Sequence, residues 1–228
     1  IAARSLFPVF CVSATRNMGS GRIMGFINDV CPSPADRAPA QLEEGELRPD
    51  PAGPPVLFIY KTMSEPKVGR LSYFKVYSGK VRSGDELINN ANRNSERINQ
   101  IFVSNGKLRE TVDELVAGDL GVVVKLRDTH TNNTLSAKGH DVKVRAIPFP
   151  EPRIRTAIST GNKNDMEKLI KAVHELQEED PTFVLEQSQR LRQNILHGQG
   201  QLHLDLLKHR IEKLHGLQVD FIKPRIPY

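Results

Sequence analysis

The sequence has few of the features that mark secreted and membrane proteins. It holds two cysteines, Cys11 and Cys31, which are too few for a disulfide framework and lack metal-binding CxxC spacing. No apolar run approaches the roughly 18–20 residues that a membrane-spanning helix needs. The first residues show no basic segment followed by an apolar stretch, as a secretory signal would. We therefore predict a cytoplasmic protein without a membrane partner.

The basic charge is a moderate excess and forms no dense block. The formal net charge is +5, with 38% hydrophobic and 26% charged residues, which is typical of a folded globular chain and excludes wholesale disorder. Most of the surplus lies in residues 56–147, which carry 15 Lys and Arg against 10 Asp and Glu. Such an excess often serves only solubility, and it is also compatible with a phosphate-bearing partner such as RNA.

The N-terminal part predicts a β-α unit too small to be a domain, followed by a linker. Residues 8–14 favour a short buried strand, and residues 21–31 favour a helix with one apolar face. Both cysteines lie beside these apolar residues and are interpreted as core fillers. Residues 32–55 hold seven of the fifteen prolines and predict either a stiff linker or a loop that follows the edge of a domain.

Residues 56–147 predict an all-β domain. Short apolar runs alternate with turn signals such as Asn105-Gly106. Several short strands in such a length favour a small closed barrel, because closure removes exposed strand edges. The predicted strands cover residues 56–60, 71–77, 98–103, 120–126 and 142–147.

Residues 153–228 predict a second domain of mixed composition. The three prolines in residues 148–152 predict a stiff hinge at the boundary. The order of elements beyond it is β-α-β-β-α-β, the pattern of a ferredoxin-like sandwich. Asn164 with Glu167 is expected to cap the first helix, and Gly216 to end the second. Inward-facing helical residues are predicted to be Met166, Leu169, Ile170, Val173, Leu204, Leu207, Ile211 and Leu214, and the last strand residues 217–222.

Four local patterns have simple structural interpretations. Residues 162–165 read Asn-Lys-Asn-Asp, a guanine-reading pattern, but no GxxxxGKS or GxxxxGKT phosphate loop accompanies them, so we interpret them as a helix cap. A glycine pair, Gly198 and Gly200, would suit an anion at a helix start, yet a tight turn with positive φ is the favoured interpretation. The acidic run of residues 178–180 is interpreted as solvated. Histidines 197, 203, 209 and 215 point different ways and predict scattered surface residues rather than a metal site.

Cations and aromatic residues alternate at the start of the predicted barrel. Arg70, Lys75, Lys80 and Arg82 could form a phosphate-contacting face, with Arg70, Lys80 and Arg82 as the candidate contacts and Tyr73, Phe74 and Tyr77 nearby. Small barrels bind RNA through such faces, although the alternation also means that some of the aromatic residues belong to the core.

Several stretches together carry a family resemblance. They are residues 68–84 (VGRLSYFKVYSGKVRSG), 117–121 (AGDLG), 126–129 (LRDT), 149–152 (FPEP), 178–183 (EEDPTF) and 197–205 (HGQGQLHLD). In this order and spacing, they resemble the second and third domains of elongation factor G and its close relatives among the translational GTPases. The resemblance implies a translation-factor barrel over residues 56–147 and a ferredoxin-like third domain over residues 153–228.

The resemblance also implies an origin for the N-terminal residues. Residues 1–31 look like the C-terminal end of the family's GTPase domain, with Ser13 and Ala14 as its last guanine-contacting loop. The phosphate loop and switch regions are missing from this sequence. We therefore expect no catalytic residue, metal or cofactor here, whereas GTP and Mg²⁺ belong to the full-length parent.

The function implied is that of a GTPase translation factor. The parent would bind the ribosome and promote GTP-dependent translocation, and this fragment would contact small-subunit ribosomal RNA and relay signals between domains, as a monomer and without DNA. The family usually has Glu at the position of Gln201, which suggests a divergent paralogue. Two alternatives stay open at this point: a ribosomal protection or release-type GTPase, and a non-catalytic structural remnant.

Overall fold

The computed structural model describes residues 5–65, 68–106, 108–162 and 165–225. At its N-terminal end, helix α1 (Ser20–Val30) forms as predicted, but none of its residues is buried. The predicted strand over residues 8–14 is wrong, because only an isolated bridge joins Ser13 to Met18. A strand needs a neighbour for its backbone hydrogen bonds, and this segment has none within the described chain. Both cysteines are exposed, so their interpretation as core fillers is wrong too.

The proline-rich segment packs on the barrel rather than spanning open solvent. It contains a 3₁₀ turn (Pro34–Asp36) and the two-residue strands β1 (Ala40–Gln41) and β2 (Glu46–Leu47). Leu42 pairs with Val144 in an isolated bridge, and both residues pack in a small apolar cluster beside the main barrel core. This bridge is the only strand-like pairing of residues 142–147 that the structure describes, so the strand predicted there is wrong.

The second region is a barrel-like antiparallel domain. Its long central strands form because apolar and β-branched residues alternate with polar ones along them. Neighbours in the eight-stranded sheet run β7-β6-β12-β3-β4-β11-β8-β9, while β5 pairs with β10. The strands are β3 (Val56–Glu65), β4 (Gly69–Ser78), β5 (Lys80–Arg82), β6 (Glu86–Asn89), β7 (Ser95–Arg97), β8 (Ile101–Asn105), β9 (Leu108–Val112), β10 (Glu114–Val116), β11 (Leu120–Val124) and β12 (Thr134–Ser136).

The barrel core is tightly packed around an aromatic ring. Phe74 is fully buried in it with residues from most of the strands. Gly121 lies against that ring, and a Cβ there would come within 2.6 Å of Phe74 and 2.4 Å of Leu115. Only glycine therefore leaves room at this position for the side chains of Phe74 and Leu115.

The third region has the predicted ferredoxin-like order. Its sheet runs β14-β15-β13-β16, all antiparallel, with the two helices burying one apolar face against it. Gly216 ends the second helix with φ +64, as predicted. Leu214 is 54% exposed, however, so its prediction as a core residue is wrong. The elements are β13 (Ile154–Ser159), α2 (Met166–Glu179), β14 (Val184–Ser188), β15 (Gln193–Gly198), α3 (Gln201–His215) and β16 (Asp220–Ile222).

Candidate functional site

Two of the predicted barrel cations share one carboxylate. Strand β5 pairs with β10 so that Arg82 lies opposite Glu114. The Glu114 carboxylate is 2.6 Å from Arg82 Nη2 and 3.3 Å from Lys80 Nζ. Hydrogen bonds from Arg82, and then from Lys80, lower the pKa of Glu114 below its ordinary value. Sequence patterns did not single out this glutamate, which neutralises half of the charge that the two cations present.

Arg70 lies apart from this pair. It is at the opposite end of β4 from Ser78, and eight residue steps along a strand correspond to about 26 Å. Its guanidinium is half-buried, with Nη1 3.5 Å from the carbonyl oxygen of Thr129. Lys75 lies instead over the ring of Tyr77, 5.1 Å from its centre. The structure thus brings Lys80 and Arg82 together and leaves Arg70 elsewhere; RNA contact by any of them stays a prediction.

The predicted guanine-contacting residues form a tight turn. Ser13 and Met18 exchange backbone hydrogen bonds of 3.0 and 3.1 Å, and Ala14 is exposed at the tip. The Ser13 hydroxyl lies 3.3 Å from that of Thr15. This geometry leaves the assignment of Ser13 and Ala14 as a prediction.

A carboxylate with three polar contacts organises the third domain. Asp180 follows helix α2 and accepts hydrogen bonds from the backbone N–H and the hydroxyl of Thr182, at 2.9 and 2.5 Å. His203 Nε2 lies 3.1 Å from its other oxygen. Partial burial raises the pKa of Asp180, but the hydrogen bonds from Thr182 and His203 outweigh it and hold this pKa below its ordinary value.

His203 joins this carboxylate to the loop before α3. Its Nδ1 accepts the backbone N–H of Gln199 at 3.1 Å, which leaves Nε2 to donate to Asp180. Its ring also packs edge-on against Phe183, with 6.0 Å between ring centres. The Gln199 side chain donates to the carbonyls of Thr182 and Pro150, both at 3.0 Å. Residues 149–152, 178–183 and 197–205 therefore meet in one hydrogen-bonded cluster, which we call the motif cluster.

The glycine pair in this loop has another role than the predicted one. Neither Gly198 nor Gly200 has a positive φ, and Gly200 is extended at φ −178. A Cβ on Gly198 would lie 2.7 Å from Leu204, so glycine is needed there for close packing of the strand against α3. The cap predicted for α2 rests on Asn164, which lies outside the described residues. Asp165, at the start of α2, binds Lys168 at 2.8 Å instead.

The acidic run also joins the two domains, and its prediction as solvated is wrong. The Glu179 side chain is only 8% exposed, contacts Arg210, and accepts the backbone N–H of Ser64 in β3 at 2.8 Å. The neighbouring Glu178 carboxylate lies 2.5 Å from His130 Nδ1 on the barrel. We call these contacts the domain joint. From the sequence alone, a carboxylate at a helix end is expected to be solvated, because its partners lie on distant segments of the chain.

A second buried carboxylate fixes one of the matching stretches. Glu96 is fully buried in β7 and accepts the backbone N–H groups of Arg127 and Asp128, at 3.0 and 2.8 Å. It also accepts the hydroxyl of Thr129 at 2.8 Å. Stretch 126–129 is therefore a turn held by one glutamate, and no sequence pattern singled that residue out.

Other predicted features have modest roles. The histidines are not all scattered, since His203 is largely buried and His197 lies 2.9 Å from Glu186.

Over residues 5–65, 68–106, 108–162 and 165–225, no group of three or more His, Cys, Asp or Glu side chains is placed to hold a metal ion. Within the same ranges, no helix has the length and apolar character for crossing a membrane.

Comparison with known proteins defines the class of both domains. The family model for elongation factor Tu domain 2 matches residues 69–136, and the model for elongation factor G domain III matches residues 149–223. These are domains of translation factors. A crystal structure of a protein from Thermus thermophilus superposes with a TM-score of 0.77 and 27% identity, over 95% of this chain and 31% of that one.

The chain thus carries an elongation factor Tu-type domain 2 followed by an elongation factor G-type domain III, as in a fragment of a translation factor, and it spans about a third of the length of the similar structure. The fold-class prediction of a translation-factor barrel followed by a ferredoxin-like domain is confirmed. The boundaries proposed for residues 1–31, 32–55 and 148–152 stay predictions.

Proposed function

We propose that this chain is the ribosome-contacting and relay part of an elongation factor G-type GTPase that promotes GTP-dependent translocation in the cytoplasm. The barrel would dock on small-subunit ribosomal RNA through Lys80 and Arg82, with Arg70 at a separate point. The chain would act as a monomer. In the longer protein, GTP and Mg²⁺ would bind a GTPase domain to which Ser13 and Ala14 contribute a guanine contact.

The domain joint carries this proposal. A relay needs two compact bodies whose relative position is held by few contacts, so that a partner can bias it. The two domains of this chain meet these needs, because the last residues of helix α2 bind the barrel at Ser64 and His130. The motif cluster begins one residue later, at Asp180. A displacement of the barrel would therefore pull directly on the cluster.

Co-sedimentation with purified ribosomes tests the docking. We expect the chain to pellet with ribosomes at low salt and to be released at high salt, because phosphate contacts release counterions. The triple variant Arg70→Gln/Lys80→Gln/Arg82→Gln should bind more weakly. A matched control, Arg16→Gln/Arg22→Gln/Arg37→Gln, removes the same charge from exposed positions of the N-terminal segment.

The outcomes separate the contact from general charge. A loss confined to the barrel variant supports docking through β5 and β4. Equal losses in the two variants would indicate non-specific attraction, and salt-independent pelleting would contradict phosphate contact. Absence of binding by the unaltered chain would favour the structural remnant.

A further inference from the structure

A groove with both polar and apolar lining residues lies at one end of the third-domain sheet. It has a volume of about 420 Å³ and is bounded by the end of β13, the first residue of α2 and the turn between β14 and β15. This volume falls within the range of small-ligand sites. None of the contacts described for the motif cluster or the domain joint involves its lining residues.

Two arginines line this groove without an ionic partner. Neither Arg192 nor Arg225 pairs with a carboxylate anywhere in the described ranges. Arg225 is tied to the turn, because its backbone N–H donates to Gln193 Oε1 at 2.8 Å and its Nη1 lies 3.4 Å from the Leu191 carbonyl. Residues 188–194 and 221–225 contain four Lys and Arg and no Asp or Glu.

The nearest carboxylates do not cancel this charge. Asp165, beside the groove, is paired with Lys168 at 2.8 Å, whereas Glu186 has only the imidazole of His197 as a partner, at 2.9 Å. Asp220 lies on the edge strand opposite the lining residue Ser159 and keeps its charge, so that two carboxylates, Glu186 and Asp220, stand against the four Lys and Arg of residues 188–194 and 221–225. The groove therefore keeps a net positive environment, unlike the Lys80–Arg82 pair, which shares Glu114.

Two details of the turn point to a ligand rather than to folding. Arg192 has φ +49, a left-handed conformation that favours glycine, so the arginine side chain stands at a position where the backbone alone would favour glycine. Asn194 is half-buried, and the only described partner of its amide is the thioether sulfur of Met166, at 3.1 Å. Sulfur is a weak acceptor, so this amide has hydrogen-bonding capacity left for something in the groove.

We propose that this groove binds single-stranded RNA, with a phosphodiester on Arg192 and Arg225 and a base edge on the amide side chains around Asn194. The arginine fork matches phosphate geometry, and amides both donate to and accept from base edges. An acidic peptide would use only the two cations and would leave the amide side chains around Asn194 without a role. A membrane surface would need protruding apolar residues. This assignment rests on the groove alone and not on the proposed role of the barrel.

The test is fluorescence anisotropy with a labelled single-stranded RNA dodecamer of mixed sequence. We expect Arg192→Gln/Arg225→Gln to weaken binding of the 228-residue chain at least tenfold. The slope of log affinity against log salt should fall by about 1.4, corresponding to two lost single-strand phosphate contacts. Arg16→Gln/Arg22→Gln is the matched control and should change affinity less than about twofold.

A second variant separates binding from folding. Arg192→Gly suits the left-handed backbone, so its thermal midpoint should be no lower than that of the unaltered chain while RNA affinity still falls. Equal losses in the groove and control variants, or an affinity unchanged by Arg192→Gln/Arg225→Gln, would overturn the proposal. Failure of Lys80 and Arg82 variants to affect ribosome binding would overturn the docking proposal and leave this one standing.

Discussion

The motif cluster and the Lys80–Arg82 pair are both hydrogen-bonded networks, yet they differ in burial. Asp180, His203 and Phe183 lie at or near the core of the third domain, where lost contacts are not replaced by water. Lys80, Arg82 and Glu114 lie at the barrel surface, where water replaces them readily. The matching stretches therefore form a buried network in the third domain, whereas at the barrel surface they leave charged side chains accessible to the partner contact that we propose.

The largest effect on stability should come from Phe183, the buried aromatic residue of the motif cluster. Phe183→Ala removes a side chain that is 1% exposed, and we expect it to lower the free energy of unfolding by about 3–5 kcal/mol. Val184→Ala, at a neighbouring position that is 41% exposed, is the control and should cost well under half as much. Urea unfolding measures both, and equal losses would contradict the burial contrast.

The carboxylate at the centre of the cluster should have a smaller effect. Asp180→Asn weakens the hydrogen bonds from Thr182 and His203, and we expect a loss of about 1–2 kcal/mol, reduced by the partial exposure of the group. The exposed Asp29→Asn is the matched control. An unchanged unfolding midpoint for Asp180→Asn would mean that Thr182 and His203 do not depend on the charge.

The same carboxylate should make stability depend on pH. Its pKa is lower in the folded chain than the ordinary 3.8, so its stabilisation is present above that value and is lost as pH falls through the folded pKa. We expect the stability difference between the unaltered chain and Asp180→Asn to shrink below about pH 4. Urea unfolding at about pH 6, 4 and 3 measures it, and a difference that grows towards acid would have the wrong sign.

The smallest effect on folding should come from the barrel surface. Glu114→Gln removes a half-buried acceptor at the barrel surface, and we expect no measurable change in unfolding, because both cations that it binds are exposed. Ribosome binding should strengthen, since Lys80 and Arg82 are released from their shared carboxylate. Glu110→Gln on the neighbouring strand is the control. Weaker binding by Glu114→Gln would show that the glutamate positions the cations rather than neutralising them.

Residue patterns within one helix or strand predicted that element well, whereas contacts between different elements could not be predicted from the sequence. The helix periods around Leu169 and Leu204 correctly indicated buried faces, because a period of 3.6 needs only local spacing. Leu214 fits the same period but is 54% exposed in the last turn of α3, whereas Leu207 and Ile211 on the same face are buried. Leu214 lines a small pocket together with Ser64, which belongs to the barrel.

The site shows the same division. Lys80 and Arg82 are two residues apart and were recognised together, whereas their partner Glu114 comes from another strand. Glu179 and Ser64 are separated by 115 positions, so their bond has no local signal. The N-terminal strand failed for a related reason: its residues favour strand, but a strand also needs a neighbour.

The most direct test is a cryo-EM reconstruction of this chain bound to purified small ribosomal subunits. We predict that strand β5 faces ribosomal RNA, with the side chains of Lys80 and Arg82 within hydrogen-bond distance of phosphate oxygens. A bound chain whose β5 strand faces solvent, while another surface of the barrel meets the subunit, would contradict it.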